Sequence, residues 1–263
     1  MVCGKLLTNL GIQRGVYVFV VSFHRFVDIA LPCCITLREL EMETHLILFS
    51  VVVVGGDHNP TILNPDFLAI REIVPKEWGW EVADPAITTP PFAIVRYTNG
   101  TSITVERNKL QVADSSAGND PTDSKVPEIA RRYVNTLPHV RYTAVGINFH
   151  SIVEVPDPET FLKGRFLKSG PWDGPAHPLA AVGLRLVYPI SGGRIVLSLD
   201  AGEVERTDED RREKRSVIIA DANFHRECAI YPADKEVAAY VSQVGADWEL
   251  SRSLLRAALE TGN

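Results

Sequence analysis

Asp57-His58, together with His150, Asp221 and His225, are the residues in this chain whose types and positions could do chemistry. A neutral imidazole beside a carboxylate can take a proton from a substrate or hold a divalent metal. Asp57 and His58 close an apolar run that ends in Gly55-Gly56, so they form the candidate catalytic pair. His150 and His225 each sit late in a later apolar run, and with Asp221 they form the candidate metal set. Alternation along a strand puts Asp221, His225 and Glu227 on one face. His150 joins them only if its strand is the neighbour. The competing expectation for Asp57 and Asn59 is a tight turn in which their side chains cap their own backbone. For the other histidines it is ordinary hydrogen bonding at a strand rim.

Motifs that would fix a reaction do not occur in the sequence. It contains no Gly-x-x-x-x-Gly-Lys-Ser/Thr loop, no Gly-x-Gly-x-x-Gly turn, no His-Glu-x-x-His and no Gly-x-Ser-x-Gly. Paired Cys-x-x-Cys ligands are missing as well. No cofactor is therefore expected. The net charge of −6 and pI near 5.7 argue against a broad nucleic-acid surface, which needs clustered Lys and Arg.

Met42 divides two unlike stretches. Residues 1–41 hold Cys3, Cys33 and Cys34, with four basic and three acidic side chains. Later residues keep only Cys228, which reads as a small buried hydrophobe in a reducing, cytoplasmic setting. The apolar run Gly15–Phe23 is broken by His24, Arg25 and Asp28 before it could span a bilayer. Residues 1–41 are expected to be an over-extended start or a loose appendage, and no membrane partner is expected.

From Thr44 the elements that must position these side chains can be read in order. Thr44–Val54 is a buried strand, and the Pro-rich segment 57–91 is irregular apart from a helical turn near Asp66–Ile73. Phe92–Thr98 and Thr101–Glu106 flank Asn99-Gly100, which predicts a type I′ hairpin, and Lys109–Asp114 completes a meander. A helix over 127–137, a long strand over 140–155 and a short helix capped by Asp157 follow. Ser169–Pro178 is the expected hinge. Strands over 179–190, 194–203 and 216–224 then lead to a helix over 234–260, with a kink at Gly245. The segment Glu203–Arg215, six acidic and five basic residues, is expected to be a solvated hairpin tip that could dock a partner, or a self-neutralising flexible loop. Trp78, Trp80 and Trp172 lie in irregular stretches, as lids over the core or as recognition residues.

The fold class is thus α+β: two similar lobes of mainly antiparallel sheet, residues 42–168 and 169–263, with helices on one face. The tripeptide Asn-Phe-His occurs at 148–150 and again at 223–225. The run Val140-Arg141-Tyr142-Thr143-Ala144-Val145-Gly146-Ile147-Asn148-Phe149 resembles the central strand, of the type R-x-G-L-R-Y-x-N, of a sporadically distributed family of uncharacterised bacterial proteins. That resemblance covers about residues 44–260, implies the same order of elements and carries no activity with it. A non-catalytic interaction or assembly protein is the leading expectation, self-associating through a strand edge or the terminal helix. A metal-dependent hydrolase is the alternative.

Overall fold

The computed structural model describes residues 43–116, 120–208 and 211–260; the expected extension 1–41 lies outside them. Nine strands form one antiparallel sheet: β1 (Thr44–Gly56), β2 (Ile87–Thr88), β3 (Phe92–Arg96), β4 (Thr101–Glu106), β5 (Lys109–Asp114), β6 (Arg141–Glu154), β7 (Leu184–Ile190), β8 (Gly193–Asp208) and β9 (Arg211–Glu227). Their order is β2-β3-β4-β5-β1-β6-β9-β8-β7. β1 is continuous in apolar and β-branched residues because it is a central strand, paired on both sides by β5 and β6.

Five helices cover one face: α1 (Pro65–Ile70), α2 (Val126–Thr136), α3 (Pro158–Phe166), α4 (Asp234–Val241) and α5 (Val244–Leu259). Their inward residues, among them Leu68, Ile129, Tyr133, Leu162, Val237 and Trp248, share one core cluster with Phe49, Val51, Ile147, Phe149, Leu197 and Phe224 of the strands. Phe149 sits at its centre, 5.6 Å from the Phe49 ring and 5.2 Å from Trp248. The helix starts are fixed locally. Asn64 Oδ1 accepts from Phe67 N at 2.8 Å, and Asp157 Oδ1 accepts from Thr160 N at 3.0 Å, as expected for Asp157. Asn64→Ala is expected to cost about 1 kcal/mol, read as a lower urea midpoint with an unchanged slope.

β1 and β6 lie side by side at the centre, with β5-β4-β3 outward on one side and β9-β8-β7 on the other. Each central strand is followed by a short helix, a three-strand meander and a further helix. The expected first half, residues 42–168, holds β1 to β6 and the second, 169–263, holds β7 to β9, and the two are continuous in one sheet through the β6–β9 register that runs from Ala144↔Glu227 to Glu154↔Val217.

Four local expectations are corrected. Asn99-Gly100 does not form a type I′ turn, because only Gly100 has positive φ (87°). Gly100 N donates to Tyr97 O and Tyr97 N donates to Thr101 O, a type I turn closed by a glycine bulge. Asn99 Oδ1 instead accepts from Thr101 N at 3.0 Å. Residues 204–208 and 211–215 are strand rather than loop: β8 and β9 pair through them, with Glu205 opposite Lys214. Cross-strand charge pairs of this kind stabilise a ribbon that apolar periodicity cannot reveal. The terminal helix breaks at Ser242-Gln243, just before Gly245. β7 begins at Leu184, five residues later than the apolar pattern suggests.

Candidate functional site

The face of the sheet away from the helices carries the polar side chains that sequence reasoning singled out. Register places Asn148 opposite Asn223, His150 opposite Asp221 and Gly146 opposite His225. One strand further out, β8 sets Val196, Ser198 and Arg194 beside Asn223, Asp221 and His225. Burial alternates with this register: Phe149, Ala222, Phe224 and Leu197 point into the core, and their neighbours point out.

Hydrogen bonds tie the outer side chains across three strands. Asn223 Nδ2 donates to Asn148 Oδ1, and Asn148 Nδ2 donates to Ser50 Oγ at 3.2 Å. Ser50, on β1, is 4% exposed. His150 Nδ1 meets Asp221 Oδ1, so β6 is the neighbour of β9 and two members of the candidate metal set are in contact. Asp200, which faces Ile219 across the β8–β9 pair, completes an acidic end on the same face. Partial burial holds its carboxyl above the usual carboxylate range, and the nearby Asp221 charge adds to the effect.

His225 shares this face but lies four residues from Asp221 along β9, about 13 Å at strand rise. Among the described residues no group of three or more His, Cys, Asp or Glu converges in metal-holding geometry. His58 is elsewhere: it is 4% exposed, in the core on the helix side, between the rings of Tyr133 (6.2 Å) and Tyr142 (5.7 Å). Neither ring nitrogen has a hydrogen-bond partner, and burial lowers its pKa to about 4. Asp57 occupies a left-handed backbone position (φ 65°), and Asn59 caps its own turn by accepting from Thr61 N at 3.1 Å. The turn expectation for Asn59 is thus met, and Asp57 is exposed whereas His58 is buried.

Trp78 and Trp80 behave as lids. Their rings are 5.0 Å apart, Trp80 lies edge-on to Tyr97, and Lys125 and Arg132 both stand 5.4 Å from Trp78. Trp172 is 54% exposed. Cys228 is half-buried, and burial together with Glu236 pushes its thiol up to about 11. At pH 8 it is expected to react with a chromogenic disulfide much more slowly than free cysteine, because little thiolate is present. Rapid labelling of the native protein would contradict this.

Ser50, Asn148, Asn223, Asp200 and Arg194 were missed as site residues. The repeated Asn-Phe-His tripeptide was the signal that could have found two of them, since its asparagines are direct cross-strand partners. No helix among the described residues is long and apolar enough to cross a membrane. No protein-family model and no curated protein matches the chain.

Proposed function

We propose that this chain is a non-catalytic interaction and assembly protein whose contact surface is the helix-free face of the sheet and its open β7 edge. One observation carries the reading: among the described residues all five helices pack on one face, so no helix of theirs covers the polar strip of the other face or the β7 edge. β7 is seven residues long and pairs only with β8 among the described residues, whereas the opposite edge ends in the two-residue β2. Val187, midway along β7, is 55% exposed. Pro189 lacks a donor and limits how far a second strand could pair there. The outer side of α5, with Glu249, Arg252 and Arg256, is charged and exposed, which makes the β7 edge the better self-association surface than the terminal helix. In this reading the two sheet halves are two similar lobes, residues 42–168 and 169–263, fused through β6 and β9, acting in the cytoplasm with a protein partner or a second copy.

Sedimentation velocity over a hundredfold range of concentration tests it. Mass that rises with concentration, and falls again when Val187→Lys is introduced, is the expected result. A concentration-independent monomer mass would sink self-association.

A metal-dependent hydrolase remains the second reading because His150 and Asp221 are in contact. It requires a third ligand to reach that pair. Elemental analysis after loading with zinc or manganese should then find one metal per chain, lost in His150→Ala; sub-stoichiometric metal rejects it.

A further inference from the structure

Backbone polarity along β7 follows from the turn that ends it. Ser191-Gly192 joins β7 to β8, with Ile190 paired to Gly193. Glu227 N donates to Gly192 O, so Gly192 and the alternate residues Arg194 and Val196 turn their backbone groups towards β9. Gly193 and Ile195 turn theirs towards β7, and Leu184, Leu186, Tyr188 and Ile190 meet β8 in return. Arg185, Val187 and Pro189 therefore aim their backbone groups away from β8. Pro189 suits that position, since it has no N–H to give β8. Side chains alternate in step. Leu184, Leu186, Tyr188 and Ile190 pack against the core from the helix side but stay half-buried, while Arg185, Val187 and Pro189 are exposed. The same alternation runs back through Gly183 and Val182. By register Gly183 stands beside Asp200: a Cβ there would lie 2.3 Å from Asp200 Oδ1, so the carboxylate overhangs the edge strand.

We propose that the β7 edge takes a second copy of this chain, antiparallel, in the register that sets Leu186 opposite Leu186 of the second copy. The proposal rests on the reading of this edge as a contact surface and names its occupant and register. That register pairs Arg185 with Val187 of the second copy, and each N–H donates to the other's carbonyl. Gly183 N meets Pro189 O of the second copy, so Pro189 serves as an acceptor and its missing donor falls at the end of the ladder. On the helix side Leu184 faces Tyr188 and Val182 faces Ile190, which completes an apolar row that one copy leaves half-covered. On the other face Asp200 leans over Gly183 towards Arg194 of the second copy, which stands behind Pro189. Two strand spacings, about 10 Å, separate Gly183 from that arginine, a gap its extended side chain spans across the proline. Within one copy the diagonal neighbours are Glu227 for Arg194 and Arg185 for Asp200, and neither forms an ion pair. The adjacent register, centred on Val187, is the poorer one. It sets Arg185 opposite Pro189 and in one row with Arg194 of the second copy, a like charge, and runs Gly183 into the Ser191 turn.

Disulfide trapping of the full chain, with its native cysteines changed to serine, tests the register. Leu186→Cys is expected to give covalent dimers readily on mild oxidation, because directly facing residues bring their Cβ atoms to about 4.5–5.5 Å. Val187→Cys should trap at least about tenfold more slowly, since its symmetry mate is then a diagonal neighbour at about 7–8 Å. Faster trapping through Val187→Cys, or trapping through neither, overturns the proposal. Arg194→Asp and Asp200→Arg should each weaken the dimer about fivefold in sedimentation. The double variant should restore it, because the reversed charges still face each other; a double variant no better than the singles also overturns the pairing. Circular dichroism of each variant confirms that it folds. Sedimentation of the unaltered chain separates this failure from that of the assembly reading. Mass that rises with concentration without trapping at position 186 removes the register and leaves assembly standing, while a fixed monomer mass removes both.

Discussion

Asp247→Ala is expected to lower unfolding free energy by about 3–5 kcal/mol, the largest single-site effect in the molecule outside the apolar core. Asp247 is 3% exposed on α5, and its oxygens accept from Arg226 Nη1 and Nη2 at 2.7 and 2.6 Å. Arg226 is 6% exposed on β9, with its guanidinium 5.8 Å from the rings of both Phe224 and Tyr240. Removing the carboxylate leaves a cation that can neither reach water nor deprotonate, so the cost is that of an uncompensated buried charge rather than of the pair itself. The distinction can be tested. Replacing both partners, Arg226→Met with Asp247→Leu, should recover most of the loss, because neither variant side chain then carries an unmet charge. Urea unfolding of the single and double variants decides it; a double variant as unstable as Asp247→Ala would mean that packing around Tyr240, not charge, is what was lost. The pair also matters for the outer face. It pins the end of β9 to α5, and β9 carries Asp221, Asn223 and His225 in the register that the contact strip needs.

How much of this could be read in advance follows from the physics of each element. β1, the β3–β5 meander and α2 were legible because burial on one or both faces imposes a period on the sequence, and because Asn99-Gly100 and Pro127 punctuate it. Alternation put Asp221, His225 and Glu227 on one face, but that His150 meets Asp221 rather than His225 follows from the β6–β9 register, which the sequence does not show. The β8–β9 pairing of residues 204–208 with 211–215 was not legible, since opposite charges facing each other across strands look like a solvated loop in one dimension. Nor could spacing distinguish His58 from a surface histidine. Its fate is set by Gly55, where a Cβ would lie 2.9 Å from Arg141 O and 3.1 Å from His58 Nε2, and by tyrosines 75 and 84 residues further on. The amide ladder was hidden for a related reason: an asparagine in an apolar strand shows its purpose only when its cross-strand partner is known.

His58 makes the protein acid-sensitive in a definite window. Its folded-state pKa is lowered from 6.5 to about 4, because the ring is buried between Tyr133 and Tyr142 with no partner for a charge. The unfolded chain therefore takes up a proton first as pH falls. The stabilising contribution is complete above pH 6.5 and declines as pH drops from 6.5 towards 4, where the folded state begins to protonate as well. Allowing for residual solvent screening at the site, the loss across that window is on the order of 2 kcal/mol. Several carboxylates, including Asp120 and Glu128, have lowered pKa values and lose stabilising interactions over an overlapping but more acidic range. The measurement must therefore be a difference. Urea midpoints of the wild type and of His58→Leu, taken at pH 7, 6, 5 and 4.5, should show the variant losing stability later and less steeply, with the curves converging or crossing on the acid side. Parallel curves would show that the imidazole is hydrated in the native state. That result would return His58, beside Asp57 at the end of β1, to consideration as a working residue rather than a buried one.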